Sequence, residues 1–225
     1  MRVALSLRVL RAHAYEEVRD AISHDWIVWL ERRGWTPLLV PNALERPAEY
    51  LREMGADLLI LTGGNDSVRG EAVATDFEPV RTKSEFGMLE FALDTKLPVL
   101  GVCRGMHVVN QFFNGRVRAD LPENSLGHVA RTHAVQLSGS IGASVGTAQI
   151  QTNSFHNQSV RQCDLGDGLT SFAICEEDSV VEGLAHEHFP ILGVQWHPER
   201  NNPAADIDDF LVSGLAGEGL FWRAS

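Results

Sequence analysis

The sequence predicts an α/β fold: a three-layer sandwich with a mostly parallel central sheet, helices on both faces, and antiparallel additions in the second half. In about the first half of the chain, apolar runs of strand length alternate with stretches of helical period. From about Val129 the pattern changes to short alternating segments with glycine-rich turns, which is typical of antiparallel strands. The chain has 225 residues, 44% of them hydrophobic, and no Pro/Ser-rich linker, so residues 1–225 are expected to form one domain.

The first half is expected to alternate strands and helices. In order, these are a strand at 3–7, a helix at 15–33, a strand at 35–40, a helix at 48–54 and a strand at 57–61. Gly34 is expected to end the first of these helices. Thr82 and Glu85 have the spacing of a capping box, so another helix is expected to begin there. That helix leads into an apolar strand near residues 97–102.

The second half is expected to extend the same sheet or to form a small flanking layer. Segments at 134–137, 170–175 and 180–184 have the composition of antiparallel strands. The apolar run at 190–196 predicts a last strand, and the spacing of apolar residues at 203–216 predicts a terminal helix.

Charge and cysteine content exclude several classes of function. A formal net charge of −11 argues against nucleic acid or an anionic membrane as the main partner. The apolar runs are of strand length, and arginines interrupt the N-terminal one, so neither a membrane span nor a signal peptide is expected and a cytoplasmic location is predicted. The three cysteines, Cys103, Cys163 and Cys175, suggest neither a disulfide framework nor paired zinc ligands.

A cysteine lies between two glycines where the strand at 97–102 meets the next helix. The segment Gly101-Val-Cys103-Arg-Gly105 matches a strand-turn-helix elbow that presents a nucleophile. The glycines would let the backbone turn without a Cβ clash, and the helix N-terminus favours a thiolate. This pattern predicts acyl transfer through a thioester at Cys103; the alternative is a buried cysteine at an ordinary turn.

A nucleophilic cysteine needs a base, and the base needs a group to orient it. His197 and Glu199 follow the strand at 190–196, at the sheet edge where Cys103 is also expected. In an extended segment residues i and i+2 point the same way, so Glu199 is expected to reach His197. The alternative is a polar strand exit. The double glycine Gly63-Gly64 follows the strand at 57–61 at this same edge.

These segments jointly resemble the class I, triad-type glutamine amidotransferase-like family, which has a flavodoxin-like fold. Within that family the chain is similar to the gamma-glutamyl hydrolases that act without a synthetase domain. The resemblance covers nearly the whole chain. The motifs that carry it are Thr62-Gly-Gly-Asn-Asp66, Arg81 with Glu85, Gly101-Val-Cys-Arg-Gly105, Asn153-Ser-Phe-His-Asn-Gln158 and Gln195-Trp-His-Pro-Glu199.

The resemblance implies a set of roles. Cys103 would be the nucleophile, His197 the base and then the acid, and Glu199 the carboxylate that orients it. The backbone N–H groups of Gly64 and Arg104 would form an oxyanion hole. The substrate-binding residues that it implies are Gly63, Asn65, His107, Asn153, Ser154, Phe155 and His156. No cofactor and no metal are expected.

Two features of the chain leave alternatives open. Many family members carry glutamine four positions after the nucleophile, where this chain has His107; it either binds the glutamyl end of the substrate or packs beneath the loop. The first third resembles shorter members associated with surface-polysaccharide biosynthesis, which act on a nucleotide-linked nitrogen. Arg8, Arg11 and Arg19 are then either cations for a phosphate or solvated side chains.

Three hypotheses follow for the function. The first is a cysteine hydrolase that cleaves the gamma-glutamyl amide bond of a small metabolite, possibly a nucleotide-linked one, and releases glutamate. The second is a glutaminase subunit that supplies ammonia to a separate synthetase partner. The third is a non-catalytic protein that binds a glutamyl compound. The expected partner is a small molecule, and a homodimer stays open.

Overall fold

The computed structural model describes residues 1–12, 14–67, 78–122 and 127–223. The strands are β1 (Arg2–Ser6), β2 (Arg8–Arg11), β3 (Val18–Ala21), β4 (Thr36–Val40), β5 (Leu58–Leu61), β6 (Val99–Val102), β7 (Val129–Leu137), β8 (Gln149–Phe155), β9 (Leu169–Cys175), β10 (Val181–His186) and β11 (Ile191–Val194). The helices are α1 (His24–Arg32), α2 (Pro47–Met54), α3 (Pro79–Thr95), α4 (Arg104–Phe112), α5 (Gly139–Val145) and α6 (Ala205–Glu218).

Nine strands form one mixed sheet in the order β4-β1-β5-β6-β11-β10-β9-β7-β8. The first five strands, β4 to β11 in this order, are parallel to one another. The pairing of β11 with β10 and all later pairings are antiparallel. The predicted α/β class, with a mostly parallel centre and antiparallel additions, is confirmed.

Both faces of the parallel part are buried, because successive side chains of a strand point to opposite faces. Val3 and Leu5 belong to one core cluster together with residues of α1, α5 and α6. Ala4, between them, belongs to a second cluster with residues of α2, α3 and α4. The sheet is therefore covered on both faces, as the sequence predicts.

The helix predicted at 15–33 is wrong in its first half. Residues Val18–Ala21 form β3, which pairs antiparallel with β2 in a separate two-stranded sheet, and α1 begins only at His24. Ser23 accepts a hydrogen bond from the Asp25 N–H and caps this helix. The apolar spacing that suggested helix includes Val18, whose side chain is exposed and contributes nothing to the core.

The capping box predicted at Thr82 is also wrong. Helix α3 begins at Pro79, and both Thr82 and Glu85 lie inside it. The Glu85 carboxylate is turned into the protein, where it binds Arg81 and Arg104 instead of a helix-end N–H group. The short helix α5, rich in glycine and serine, has no apolar period and was not predicted. The terminal helix α6 is confirmed.

Three adjacent parallel strands, β5, β6 and β11, end at one edge of the sheet. The segments that follow these strands carry Gly63, Cys103 and His197. The shared sheet edge therefore brings the predicted motifs together. Among the described residues, no helix is both long and apolar enough to cross a membrane.

Candidate active site

Cys103 occupies the turn between β6 and α4 in an unusual backbone conformation, with φ 53° and ψ −109°. A non-glycine residue with positive φ at such a turn is the mark of a strained nucleophile elbow. The turn is held on both sides of the cysteine: the Cys103 N–H donates to the Val194 carbonyl at 2.8 Å, and its own carbonyl accepts from the His107 N–H at 3.3 Å.

The two glycines around Cys103 serve close packing. A Cβ on Gly105 would lie 2.0 Å from the Leu61 carbonyl oxygen, and one on Gly101 would lie 2.7 Å from the Gly105 carbonyl oxygen. Neither glycine has a positive φ. The left-handed conformation falls on Cys103 itself, and the glycines let α4 start directly against β5.

His197 and Glu199 form a buried pair, with 2.6 Å between His197 Nδ1 and Glu199 Oε1. The segment that carries them is a turn closed by the Arg200 N–H on the His197 carbonyl, so the extended segment expected from the sequence is wrong although the pairing is present. His197 is also close enough to Cys103 for that side chain to raise its pKa. The loop after β5 closes over the same ring, since a Cβ on Gly63 would lie 2.9 Å from His197 Cε1.

The electrostatic environment of His197 favours its charged form. Burial lowers the pKa of His197, but the negative charges of Cys103 and Glu199 and the hydrogen bonds to them raise it by more, to about 9. At neutral pH the His197 ring is therefore expected to be an imidazolium.

Two backbone N–H groups beside Cys103 are available to a ligand. Arg104 is the first residue of α4, so its N–H has no partner within the helix. Arg81 donates through Nη1 to the Gly63 carbonyl, and because the peptide unit is planar and trans, the Gly64 N–H points to the opposite side. Within the described ranges, neither the Gly64 nor the Arg104 N–H donates a hydrogen bond.

A buried ion network supports this loop. Glu85 binds Arg81 Nε at 2.9 Å and Arg104 Nη1, and Arg81 Nη2 donates to the Thr62 carbonyl at 2.6 Å. Burial raises the pKa of Glu85, but the two guanidinium groups lower it by more. The Arg8 guanidinium lies against Gly64, where a Cβ would come within 2.6 Å of it. Two guanidinium groups thus bind the Glu85 carboxylate and a third lies against Gly64, so the loop has three neighbouring cations that the motif spacing alone did not reveal.

Asn153, predicted to bind substrate, binds the backbone of the segment that carries His197 and Asn201. Its Oδ1 accepts from the His197 N–H at 2.8 Å, and its Nδ2 donates to the carbonyls of His197 and Asn201 at 2.9 and 3.1 Å. The Asn153 N–H in turn donates to Asn202 Oδ1. All of its polar side-chain atoms are occupied, so Asn153 is placed as a positioning residue.

The other residues of the same motif separate into different environments. Phe155 is partly exposed and packs edge-on against the His197 ring, with 5.6 Å between ring centroids and the Arg200 guanidinium on its own ring. Ser154 is buried and donates to the His128 carbonyl. His156 is buried and lies 2.9 Å from a ring nitrogen of His128. Of these, Phe155 alone borders the site opening.

His107 is packed beneath the loop, the second alternative that the sequence left open. Its Nδ1 lies 3.2 Å from Ser67 Oγ and its Nε2 lies 2.7 Å from Gln195 Oε1. Burial, and to a lesser degree the charge of His156, lower the pKa of His107 to about 3. The ring is therefore neutral, and both of its nitrogens have protein partners.

Asn65 and the N-terminal arginines tie the β2–β3 hairpin to the site. Asn65 Oδ1 accepts from the Val9 N–H and its Nδ2 donates to the Val9 carbonyl, at 2.8 and 3.0 Å. Arg11 pairs with Glu78, whereas Arg19 pairs with an exposed glutamate of its own segment. Arg8 differs from both, because its Nε is buried without a hydrogen-bond partner in the described part of the chain.

A family model described as Peptidase C26 matches residues 3–199, which include every residue of this site. The chain belongs to the Peptidase C26 family. This family is class I glutamine amidotransferase-like, so the resemblance noted in the sequence is confirmed. Membership of this family supports the prediction that the chain is a hydrolase.

Two proteins that are similar to this chain have names that state different activities. Gamma-glutamyl-CDP-amidate hydrolase of Campylobacter jejuni is 28% identical over 92% of this chain and 94% of its own length. A glutamine-hydrolysing GMP synthase subunit of Methanospirillum hungatei is 32% identical over 72% of each chain. A solved structure from Thermoplasma acidophilum aligns over 97% of this Peptidase C26 chain and 94% of its own, with a TM-score of 0.70 and 20% identity, which shows the shared fold.

Proposed function

We propose that this Peptidase C26 protein is a cysteine hydrolase that cleaves the gamma-glutamyl amide bond of a small metabolite through a thioester at Cys103. The observation that carries the proposal is the arrangement of Cys103, His197 and Glu199 at one sheet edge, with the Cys103 backbone at φ 53°. A protein that only binds a glutamyl compound has no need of a base beside a thiol.

In the first half of the proposed reaction the Cys103 thiolate attacks the amide carbonyl carbon. The carbonyl oxygen gains negative charge, which the N–H groups of Gly64 and Arg104 and the positive environment of the loop would stabilise. The His197 imidazolium gives its Nε2 proton to the leaving nitrogen as the carbon–nitrogen bond breaks. The products of this half are the free amine or amidate and a gamma-glutamyl thioester.

In the second half His197, now neutral, accepts a proton from a water molecule. The resulting hydroxide attacks the thioester carbonyl, the carbon–sulfur bond breaks, and glutamate leaves while the Cys103 thiolate is restored. Throughout, the Glu199 carboxylate accepts a hydrogen bond from the His197 Nδ1–H and keeps Nε2 directed at the reacting atoms.

The leaving group that we propose carries a phosphate, as in a nucleotide-linked amidate. The name of the Campylobacter relative supports this class, since that protein is similar along almost its whole length. Within this chain the support is Arg8, which lies against Gly64 and whose Nε has no hydrogen-bond partner among the described residues, in a small cleft that Glu199 and Arg200 also line. Arginine is well suited to bind phosphate oxygens.

The test is to incubate the protein with a panel of gamma-glutamyl compounds, with and without a CDP-linked leaving group, and to measure free glutamate. We expect release from at least one compound, loss of release in Cys103→Ser, and in Arg8→Gln a raised KM for phosphate-bearing substrates only. Arg19→Gln, on the exposed surface, is the matched control. The proposal fails if no compound is hydrolysed, or if Cys103→Ser releases glutamate as fast as the parent protein.

A second candidate is a glutaminase subunit that passes ammonia to a separate synthetase. The relative that is named as a GMP synthase subunit favours it, because that chain has a similar length and a comparable identity. Such a protein would hydrolyse little by itself and would be activated by its partner. Strong hydrolysis of a gamma-glutamyl amide by the isolated chain would therefore support the first candidate and contradict the second.

A further inference from the structure

Three histidines and a glutamate converge behind the candidate active site, in the antiparallel part of the sheet. His128 precedes β7, His133 lies on β7, His156 follows β8, and Glu182 lies on β10. All four side chains are buried, and Glu182 is fully so. No metal is expected from the sequence, and these four residues come from separate segments with no characteristic spacing.

The hydrogen bonds at the outer side of two rings fix where their protons are. His128 Nε2 lies 2.9 Å from Asp178 Oδ2, and His156 Nδ1 lies 2.9 Å from the Gln158 carbonyl oxygen. A carboxylate and a carbonyl accept and do not donate, so both of these nitrogens carry a hydrogen. The inner nitrogens, His128 Nδ1 and His156 Nε2, lie 2.9 Å apart, so a hydrogen on one of them lies between the two when no metal is bound.

The other two residues add further acceptors to the same point. Glu182 Oε1 lies 3.4 Å from His128 Nδ1, from His133 Nε2 and from His156 Nε2. In the described part of the chain, neither Glu182 oxygen accepts a hydrogen bond and neither His133 nitrogen has a hydrogen-bond partner. A single proton bridges only one pair of these atoms, whereas one cation would bind His128, His156 and Glu182 together, since the ligand atoms of these three all lie within 4.8 Å of one another.

The spacing fits a transition metal. With bonds of about 2.0–2.1 Å, two ligand atoms of a tetrahedral zinc site lie about 3.3–3.4 Å apart. The distances from Glu182 Oε1 to His128 Nδ1 and to His156 Nε2 have this length. The 2.9 Å between the two ring nitrogens is shorter, so the rings would move apart by about 0.4 Å to bind the ion. The hydrogen bonds to Asp178 and to the Gln158 carbonyl are of the kind that orient metal-bound histidines. The charges of Glu182 and Asp178 together would balance a divalent ion.

We propose that His128, His156 and Glu182 bind one divalent transition-metal ion, with zinc the best match to this ligand set. Three protein ligands leave the fourth position of a tetrahedral ion to a water molecule. The ion would join the ends of β7, β8 and β10 behind His197. It would thereby fix Asn153, three residues before His156, and Gln195, whose N–H donates to the Glu182 carbonyl at 2.8 Å.

The test is to measure metal content in protein that was purified without a histidine tag from a zinc-supplemented culture and then desalted. We expect about one zinc per chain, and a more than tenfold lower content in Glu182→Gln and in His156→Gln. His188→Gln and Glu187→Gln are the matched controls, because both side chains are exposed just beyond β10. Both controls should keep the full metal content.

A second measurement uses only the parent protein, so it holds even if the ligand variants fail to fold. Removal of the metal with a strong chelator should lower the Tm, and added zinc should restore it. Cobalt in place of zinc should give the visible spectrum of a tetrahedral nitrogen and oxygen site without thiolate bands, and Cys175→Ser, at a thiol beside His128 and His133, should leave that spectrum unchanged.

Two results would overturn the proposal. The first is less than a tenth of an equivalent of zinc, cobalt, nickel, iron, manganese or copper per chain, together with a Tm that the chelator does not change; the cluster would then share a proton. The second is a thiolate band that Cys175→Ser removes, which would assign the ion to Cys175 in place of Glu182. Because every readout is metal content, Tm or a spectrum, the outcome is independent of whether gamma-glutamyl compounds are hydrolysed.

Discussion

At the scale of single residues, Cys103 has a backbone conformation that costs free energy. A non-glycine residue in such a sparsely populated region costs about 1–3 kcal/mol, and the surrounding structure must supply it. Here the hydrogen bond from the Cys103 N–H to Val194 and the close contact of Gly105 with Leu61 hold the turn. The strain is therefore maintained by packing around the thiol.

This strain predicts a reversal of the usual order of alanine and glycine. Cys103→Gly is expected to have a higher free energy of unfolding than Cys103→Ala, by about 1 kcal/mol, because glycine adopts this conformation without a Cβ clash. Both variants lack sulfur, so urea unfolding of the pair isolates the backbone effect. In α6 the change Ala216→Gly should instead lower stability by about 0.5–1 kcal/mol. If glycine is also the less stable residue at position 103, the elbow is not strained.

The His197–Glu199 pair predicts a change in pH dependence. In Glu199→Gln the carboxylate that raises the pKa of His197 is lost, so the imidazolium should lose its proton at lower pH. The upper limb of the kcat/KM profile should move to lower pH, with a loss of roughly 10²-fold in kcat/KM. A pH–rate series from pH 5 to 10 measures both effects. An upper limb at the parent position would separate Glu199 from the titration of His197.

At the scale of elements, the elbow depends on how closely α4 approaches β5. Gly105→Ala should lower the free energy of unfolding by about 3 kcal/mol, because the new Cβ would meet a backbone oxygen that cannot move away easily. Gly217→Ala, exposed in α6 with no neighbour within 4 Å, should raise it by about 0.5–1 kcal/mol. Thermal unfolding of the two variants checks the contrast. Similar small effects at both positions would contradict the close packing.

The sequence predicted elements whose signals are local and missed those decided by tertiary contacts. Strands such as β5 and β6 are continuous apolar runs, so their burial can be predicted from the sequence. The β2–β3 hairpin has exposed residues on both strands, and its apolar spacing resembled a helix. Glu85 looked like a helix cap because nothing in its spacing shows that Arg104, on the next helix, would reach it.

The candidate site follows the same division. Cys103, Gly63 and His197 were predicted because each directly follows a recognisable strand. The positioning role of Asn153 was missed, since it depends on the backbone groups of a turn distant in the sequence. The histidine–glutamate cluster was missed because its members come from three strands and their flanking loops, which meet only in the folded sheet.

At the scale of the whole molecule, His197 links stability to pH. Its pKa is raised from 6.5 to about 9 on folding, so its contribution is fully present below pH 6.5 and is lost as the pH rises through 9. The contribution is of the order of 3 kcal/mol. Urea unfolding at pH 6, 7.5 and 9.5 should show a smaller decline in His197→Gln than in the parent, and His24→Gln, at an exposed site, should keep the parent's decline. Equal declines in all three proteins would contradict the raised pKa.

The whole arrangement, from the sheet edge to the arginine network beneath the loop, converges on one sulfur atom. The measurement that tests this most directly is the mass of protein quenched in acid during turnover of a gamma-glutamyl substrate, followed by peptide mapping. The account predicts a gamma-glutamyl adduct on the peptide that contains Cys103, formed faster than steady-state turnover and absent from Cys103→Ala. Turnover that continues in Cys103→Ala, with no adduct on the parent protein, would contradict it.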